Sequence, residues 1–269
     1  MDNYYANAAA LKTLRTSLPS ANLIDATLLV NWQRAVKSPA ELDFMRIAGR
    51  IVTKIHERIL EIAEPGMPKN LVAAEIFRTG LNGVDEFGGD YAAVVPLMAS
   101  GGDAPAPHLT WDETPLRRDE GTFFEAAGCY RRYHVPLART LFFGHPPKAF
   151  RNAEAATIEG LEAGLAKVRP GNTCEDVARA YFDALKRHGI EKDSRAGYTV
   201  GIGYHPDWGE RTASLRLGDR TVLEPGMTFH FMTGLWQDDM GFEVSETFAV
   251  TQTGFELLSS VPRQLFVKT

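Results

Sequence analysis

A thirteen-residue pattern occurs twice in this chain, and it constrains the fold more than any single motif does. Pro65-Gly66-Met67-Pro68-Lys69-Asn70-Leu71-Val72-Ala73-Ala74-Glu75-Ile76-Phe77 resembles Pro170-Gly171-Asn172-Thr173-Cys174-Glu175-Asp176-Val177-Ala178-Arg179-Ala180-Tyr181-Phe182, with Pro, Gly, Val, Ala and Phe coinciding at a constant offset. A helical stretch precedes each Pro-Gly. In the first, Ser38-Pro39-Ala40-Glu41 is a capping box with proline at the first helical position, ahead of Phe44, Ile47, Ile51, Ile55 and Ile59 at helical spacing. A second helix follows each Pro-Gly, the later one opened by Thr173 and closed by His188-Gly189. Each half continues through a Gly-rich stretch holding a histidine, Gly88-Gly89-Asp90 to Pro107-His108 and Gly197-Tyr198 to Tyr204-His205. Each then enters a β-rich run, at Glu120 to Glu125 and at Glu224 to Phe231. Two such helix-helix-strand units, related by a pseudo-twofold axis, predict an α+β fold with helices outside and a curved antiparallel sheet inside. The inner face of that sheet is the natural cleft.

With 44% hydrophobic and 23% charged residues, the chain can bury a sizeable core. Its net charge of −5, without a basic run, argues against a nucleic-acid partner. The two cysteines, Cys129 and Cys174, are in neither metal nor redox spacing and fit a reducing compartment. No segment has the length and apolarity of a membrane span, and the start carries no leader pattern, so the expectation is a cytoplasmic protein. Residues 1–37 are too few to bury a core of their own and are expected to be the remnant of an amino-terminal domain and its linker, ahead of a catalytic domain at 38–269. Within them, Ala6 to Leu18 reads as a helix, Ala21 to Asp25 as a short strand and Leu28 to Val36 as a connector.

Four strings carry a resemblance to a known family: Val30-Asn31-Trp32-Gln33-Arg34-Ala35-Val36-Lys37-Ser38-Pro39, Gly121-Thr122-Phe123-Phe124-Glu125, Pro206-Asp207-Trp208-Gly209-Glu210-Arg211 and Pro225 through Trp236. On these the chain resembles the creatinase, prolidase and methionine aminopeptidase superfamily, whose fold is called pita-bread, and more closely the ectoine hydrolases. The resemblance implies a homodimer. It also implies a site, because the superfamily's metallopeptidases hold two metal ions with two Asp, one His and two Glu. Counting back from Arg139-Thr140 puts Glu125 at the first Asp and Pro136 at the second. The ligating His falls on Tyr198, and the first Glu on Met232. The last carboxylate is Glu246 if one residue of slippage is allowed in the final hairpin, and otherwise Glu243 competes. Two carboxylates out of five ligands should not hold a metal pair, so neither metal nor other cofactor is expected.

The substrate class that the resemblance implies is a cyclic amidine, ectoine, whose planar cation suits a carboxylate through charge-assisted hydrogen bonds. Glu246 is the candidate for that contact. Glu125 is the candidate for activating water as a general base or for attacking the amidine carbon directly. His108, at the superfamily's proton-donating His, is the candidate for protonating the leaving nitrogen, and His205 aligns with a later family His. Phe229, Tyr204 and Trp236 offer aromatic faces to a cation, with Tyr198, His230 and Glu243 completing the expected substrate contacts. The bland readings are an ion pair of Glu125 with Arg131 or Arg139, a surface role for His108, and hydrogen-bonded core roles for His205 and His230. Two other functions stay open at this point: a metallo-aminopeptidase or prolidase, and a non-catalytic binding protein on the same fold.

Overall fold

Side-chain caps at Asn7, Ser38 and Thr173 set three of the helix starts among the described residues. The computed structural model describes residues 7–237 and 240–269. Helix α1 (Ala8–Ser17) begins on Asn7, whose side chain accepts a hydrogen bond from the Ala10 N–H, and buries none of its residues. The expected start at Ala6 lies outside the described residues. The segment 21–25 is irregular rather than a strand, since no neighbouring strand is there to complete its backbone hydrogen bonds. The expected connector contains a short helix, α2 (Leu29–Gln33).

The duplicated units then follow in order. Helix α3 (Pro39–Ile62) starts on both reciprocal bonds of the Ser38–Glu41 capping box and buries Met45, Ala48, Ile51, Val52, Ile55 and Ile59 along one face. Helix α4 (Lys69–Asn82) follows the first Pro-Gly, and strands β1 (Leu97–Ser100), β2 (Gly121–Tyr130) and β3 (Tyr133–Phe143) close the unit. The second unit repeats the plan with α5 (Lys148–Leu165), α6 (Cys174–Arg187), β4 (Gly197–Tyr204), β5 (Asp207–Leu215) and β6 (Thr228–Phe231). Strands β7 (Leu235–Gln237), β8 (Met240–Phe242), β9 (Glu246–Val250), β10 (Phe255–Leu257) and β11 (Phe266–Lys268) complete the chain. Gly66 and Gly171, the glycines of the repeated Pro-Gly, sit at φ of +95° and +89°. A side chain is disfavoured in that left-handed region, which is why both copies need glycine.

Nine strands form one sheet in the order β1-β2-β3-β4-β6-β9-β10, with β5 beside β4 and β11 parallel to β3; every other pairing is antiparallel. Strands β7 and β8 pair separately. The stretch from Gly197 to Tyr204 is thus itself a strand. The helices press closely on the sheet: a Cβ on Gly128 of β2 would lie 2.0 Å from the Ala48 carbonyl oxygen of α3. The halves meet between β3 and β4, where Tyr133 pairs with Ile202. His134 fastens that seam, accepting the Ala93 N–H at 2.9 Å and reaching the Gly201 carbonyl at 3.4 Å.

Candidate active site

Strand alternation decides which acidic side chains meet. Successive residues of an extended chain point to opposite faces, so Glu243, Ser245 and Thr247 share one side of the segment entering β9 and Glu246 takes the other. Ser245 is docked onto β3 by two bonds, from its own N–H to the Ala138 carbonyl at 3.1 Å and from the Ala138 N–H to its Oγ at 2.7 Å. Glu243 is held by Thr140, which exchanges bonds with its backbone N–H and carbonyl at 2.8 and 2.9 Å. Ala138 is the cross-strand partner of Glu125, so this docking brings Glu243 to Glu125. His230 completes the group: one ligand-type atom from each of Glu125, His230 and Glu243 lies within 4.8 Å of the others, and all three residues are buried.

Burial governs the electrostatics of the cluster. The Glu125 carboxyl is pushed well above the usual carboxylate range, first by burial and then by the negative charge of Glu243. Burial lifts Glu243 to about 7 against the pull of Lys192 and Arg139. Both Glu243 oxygens are buried without a hydrogen-bond partner among the described residues. Two carboxylates this close cannot both ionise cheaply, so the pair keeps a proton at neutral pH. His230 is held neutral, its pKa lowered to about 3 by burial and by the nearby Arg195.

A hydrogen-bonded chain crosses the site beside that pair. Trp208 Nε1–H donates to the Tyr198 hydroxyl at 2.9 Å, that hydroxyl lies 3.1 Å from His230 Nδ1, and His230 Nε2 lies 2.8 Å from Ser245 Oγ. The two ends can only donate, because an indole N–H and the Ala138 backbone N–H accept nothing. Neutral His230 carries one N–H, so it accepts from one hydroxyl and donates to the other. One of Tyr198 and Ser245 therefore keeps an O–H hydrogen for a group outside the chain.

Several expected assignments change. Glu246 faces away from the cluster into a buried ion pair with Arg139, at 2.7 Å, and also accepts from Ser259 Oγ at 3.0 Å. Its place beside Glu125 belongs to Glu243. The pairing that would have made Glu125 structural is absent, since Arg139 is committed to Glu246 and to the Val261, Pro262 and Ser245 carbonyls. Phe229 neighbours His230 and so points the other way, stacked on Phe248 in the core at 5.5 Å between ring centroids. Tyr204 is exposed at the far end of β4 under the Arg132 guanidinium, six residues from Tyr198 or roughly 20 Å along a strand. His205 is exposed in the adjoining turn. His108 is exposed on the loop that bonds to β1 through Met98 N–H and the Leu109 carbonyl, roughly 10 Å or two strand spacings from Glu125. Neither belongs to the buried cluster. Tyr198, His230, Glu243 and Glu125 do come together, and Trp236 stands beside Lys192, whose Nζ is 4.7 Å above its ring. The sequence reading assigned no role to Ser245 and Lys192, which lie outside the four family-like strings, or to Trp208, which lies within one of them.

The donor set does not fit the superfamily's metal pair. At the positions expected from the resemblance stand Glu125, Pro136, Tyr198 and Met232, and proline and methionine offer no hard oxygen or nitrogen ligand. Both nitrogens of the one histidine in the cluster are within hydrogen-bond reach of hydroxyls. A cation bridging Glu125 and Glu243 would have to break that chain to recruit His230.

The cluster also shapes stability. A carboxyl whose pKa rises on folding takes up a proton, so stability falls with pH from its unfolded value near 4.5 until about 7. Glu243→Gln removes that term, about 3 kcal/mol by neutral pH. Thermal melts should therefore show the variant gaining several degrees over the unmodified protein at pH 8 and little at pH 4.5; parallel pH dependences would contradict the burial argument.

Known proteins resemble the chain at two levels. The pattern of the family described as metallopeptidase family M24 matches residues 43–252. The ectoine hydrolase of Halomonas elongata is 53% identical over 274 aligned residues, which take in 100% of this chain and 69% of that protein. The uncharacterized hydrolase/peptidase y4tM of Sinorhizobium fredii is 42% identical, with 100% of this chain and 68% of that one covered. Among solved structures, the recombinant prolidase from Thermococcus sibiricus superposes with a TM-score of 0.88 at 20% identity, covering 99% of this chain and 71% of its own. The Xaa-Pro dipeptidase from Bacillus anthracis gives 0.86 at 21%, covering 99% and 73%. At such identities these two speak to the fold.

Proposed function

The chain belongs to metallopeptidase family M24, and from that membership we propose that it is a hydrolase that opens the ring of a cyclic amidine, ectoine, without the metal pair of its peptidase relatives. The observation that carries this reading is the buried pair of carboxyls, Glu125 and Glu243, gathered beside a neutral imidazole where metal ligands would otherwise converge. A site in which both Glu243 oxygens are buried without a partner among the described residues suits a cation. The amidinium, planar with two N–H donors, meets Glu243 and offsets the repulsion that keeps the pair protonated.

With the cation seated, Glu125 is free to ionise beside the amidine carbon. As a base it takes a proton from water while the hydroxide adds to that carbon. The same carboxyl then returns the proton to the departing ring nitrogen as the C–N bond breaks. Both water protons end on that nitrogen, which leaves as an ammonium, and the other nitrogen stays in an N-acetyl amide. Direct attack by Glu125 would begin from the same geometry: its oxygen bonds to the amidine carbon, the departing nitrogen takes a proton passed from the other nitrogen through Glu243, and water then cleaves the resulting imidic anhydride to the same product. The free O–H of Tyr198 or Ser245 is placed to stabilise the tetrahedral carbon's new oxygen. On this reading His108 and His205 are residues of the rim.

Purified protein incubated with ectoine should release the acetylated diamino acid, detected by mass spectrometry, at the same rate with and without chelator. Loss of turnover on chelation, restored by a divalent ion, would overturn the metal-free part of the reading while leaving the hydrolase. A cytoplasmic, homodimeric enzyme belongs to the same reading. It is supported by two buried free cysteines and by the exposed Ile24, Leu29, Val30 and Trp32, a surface for a second copy. No helix of the described residues is long and apolar enough to cross a membrane.

A further inference from the structure

Lys192 lies outside every string that resembles the family, in the segment between α6 and β4. Its Nζ donates to the Gly234 carbonyl at 2.7 Å and stands 4.7 Å above the Trp236 ring. An ammonium has three donors, and this one spends a single N–H on the protein and makes no ion pair among the described residues. Among the described residues, Trp236 Nε1–H is buried without a partner, and so are both oxygens of Glu243. The segment that carries Gly234 and Trp236 runs beside Glu243, since Thr233 Oγ1 donates to the Val244 carbonyl and Leu235 pairs with Phe242; Lys192 and Glu243 act on each other's charge with no hydrogen bond or ion pair between them among the described residues.

The pattern is thus one set of spare donors, on Lys192 and Trp236, and one spare acceptor pair, on Glu243, carried by neighbouring segments. Buried polar groups are rarely left unmade in a native protein unless something else completes them. Water alone would satisfy either half. A single ligand that satisfies both must carry a negative group a few ångströms from a positive one. A bare amidinium would answer Glu243 and leave Lys192 and Trp236 unmet.

Resting on the amidine reading above, we propose that Lys192 and the Trp236 indole N–H form a carboxylate subsite, which makes the protein selective for zwitterionic cyclic amidines, those bearing a carboxylate on the ring, over bare ones. Lys192 binds the carboxylate as a charge held against the Trp236 face, and Glu243 binds the amidinium, so the two contacts fix which ring nitrogen lies near Glu125. Arg195 is the rival cation. It is exposed and lies over the Tyr198 ring at 4.4 Å.

The test compares ectoine with the same methylated ring lacking the carboxylate, reading the ratio of the two kcat/KM values. The ratio cancels any common effect of a substitution on Glu243 or on folding. The intact protein should favour ectoine by about 100-fold, Lys192→Met should bring the ratio near one, and Trp236→Phe should lower it about tenfold. Lys192→Arg should keep most of it, and Arg195→Gln should leave it unchanged. A ratio unmoved by Lys192→Met, or collapsed by Arg195→Gln, would overturn the proposal while the hydrolase reading stood. An intact protein that turns over neither ring would instead sink the reading itself, and the subsite with it.

Discussion

Glu125→Gln should fold as well as the unmodified protein and lose ring opening by about 10⁴-fold or more. The glutamine fills the same space on β2, and it removes a carboxyl that burial and Glu243 already hold largely protonated. Stability should therefore hold or rise. Chemistry should not, because an amide can neither take a proton from water nor add to the amidine carbon. Product formation followed by mass spectrometry, beside a thermal melt, gives both readouts. A variant that still opens the ring within tenfold of the original rate would remove Glu125 from the mechanism. On the unmodified protein, a single turnover in ¹⁸O-labelled water tests direct attack: label retained on Glu125 requires the covalent route, with water entering at the Glu125 carbonyl.

Glu246→Gln should show the opposite signature. Glu246 and Arg139 are each 2% exposed and bonded at 2.7 Å, with Arg139 also donating to several carbonyls. Neutralising one member leaves the other as a buried charge without its counter-ion, which costs about 3–5 kcal/mol. The pair lies on the far side of the β9 segment from Glu125, so turnover per folded molecule should stay within a few-fold. Denaturant unfolding together with activity normalised to folded protein checks both halves. A Glu246→Gln protein of normal stability and no activity would restore Glu246 to the catalytic site and undo the alternation argument.

These two glutamates mark the boundary of what could be read in advance. The duplication, the capping boxes at Ser38 and Thr173 and the strand at Glu120 to Glu125 rest on local spacing, and each reappears in the structure. The expectation that Pro136, Tyr198 and Met232 stand at the superfamily's ligand positions likewise needs only a count along the chain. Glu125 was found for the same reason.

Facing was not legible where the chain leaves regular structure. Residues 243–245 lie between β8 and β9, outside either strand. One residue of slippage there exchanges Glu246 for Ser245, and only the docking of Ser245 on Ala138 fixes the register. The same parity put Phe229 in the core and His230 in the site. Lys192 and Trp208 matter through neighbours more than ten residues away in sequence or across a strand pair, and no spacing rule encodes such meetings. Local spacing is enough to set which elements form, since helix caps and periodic burial act over a few residues. That Glu243, rather than Glu246, lies beside Glu125 depends on side chains converging from separate strands into one buried space, which no local spacing encodes.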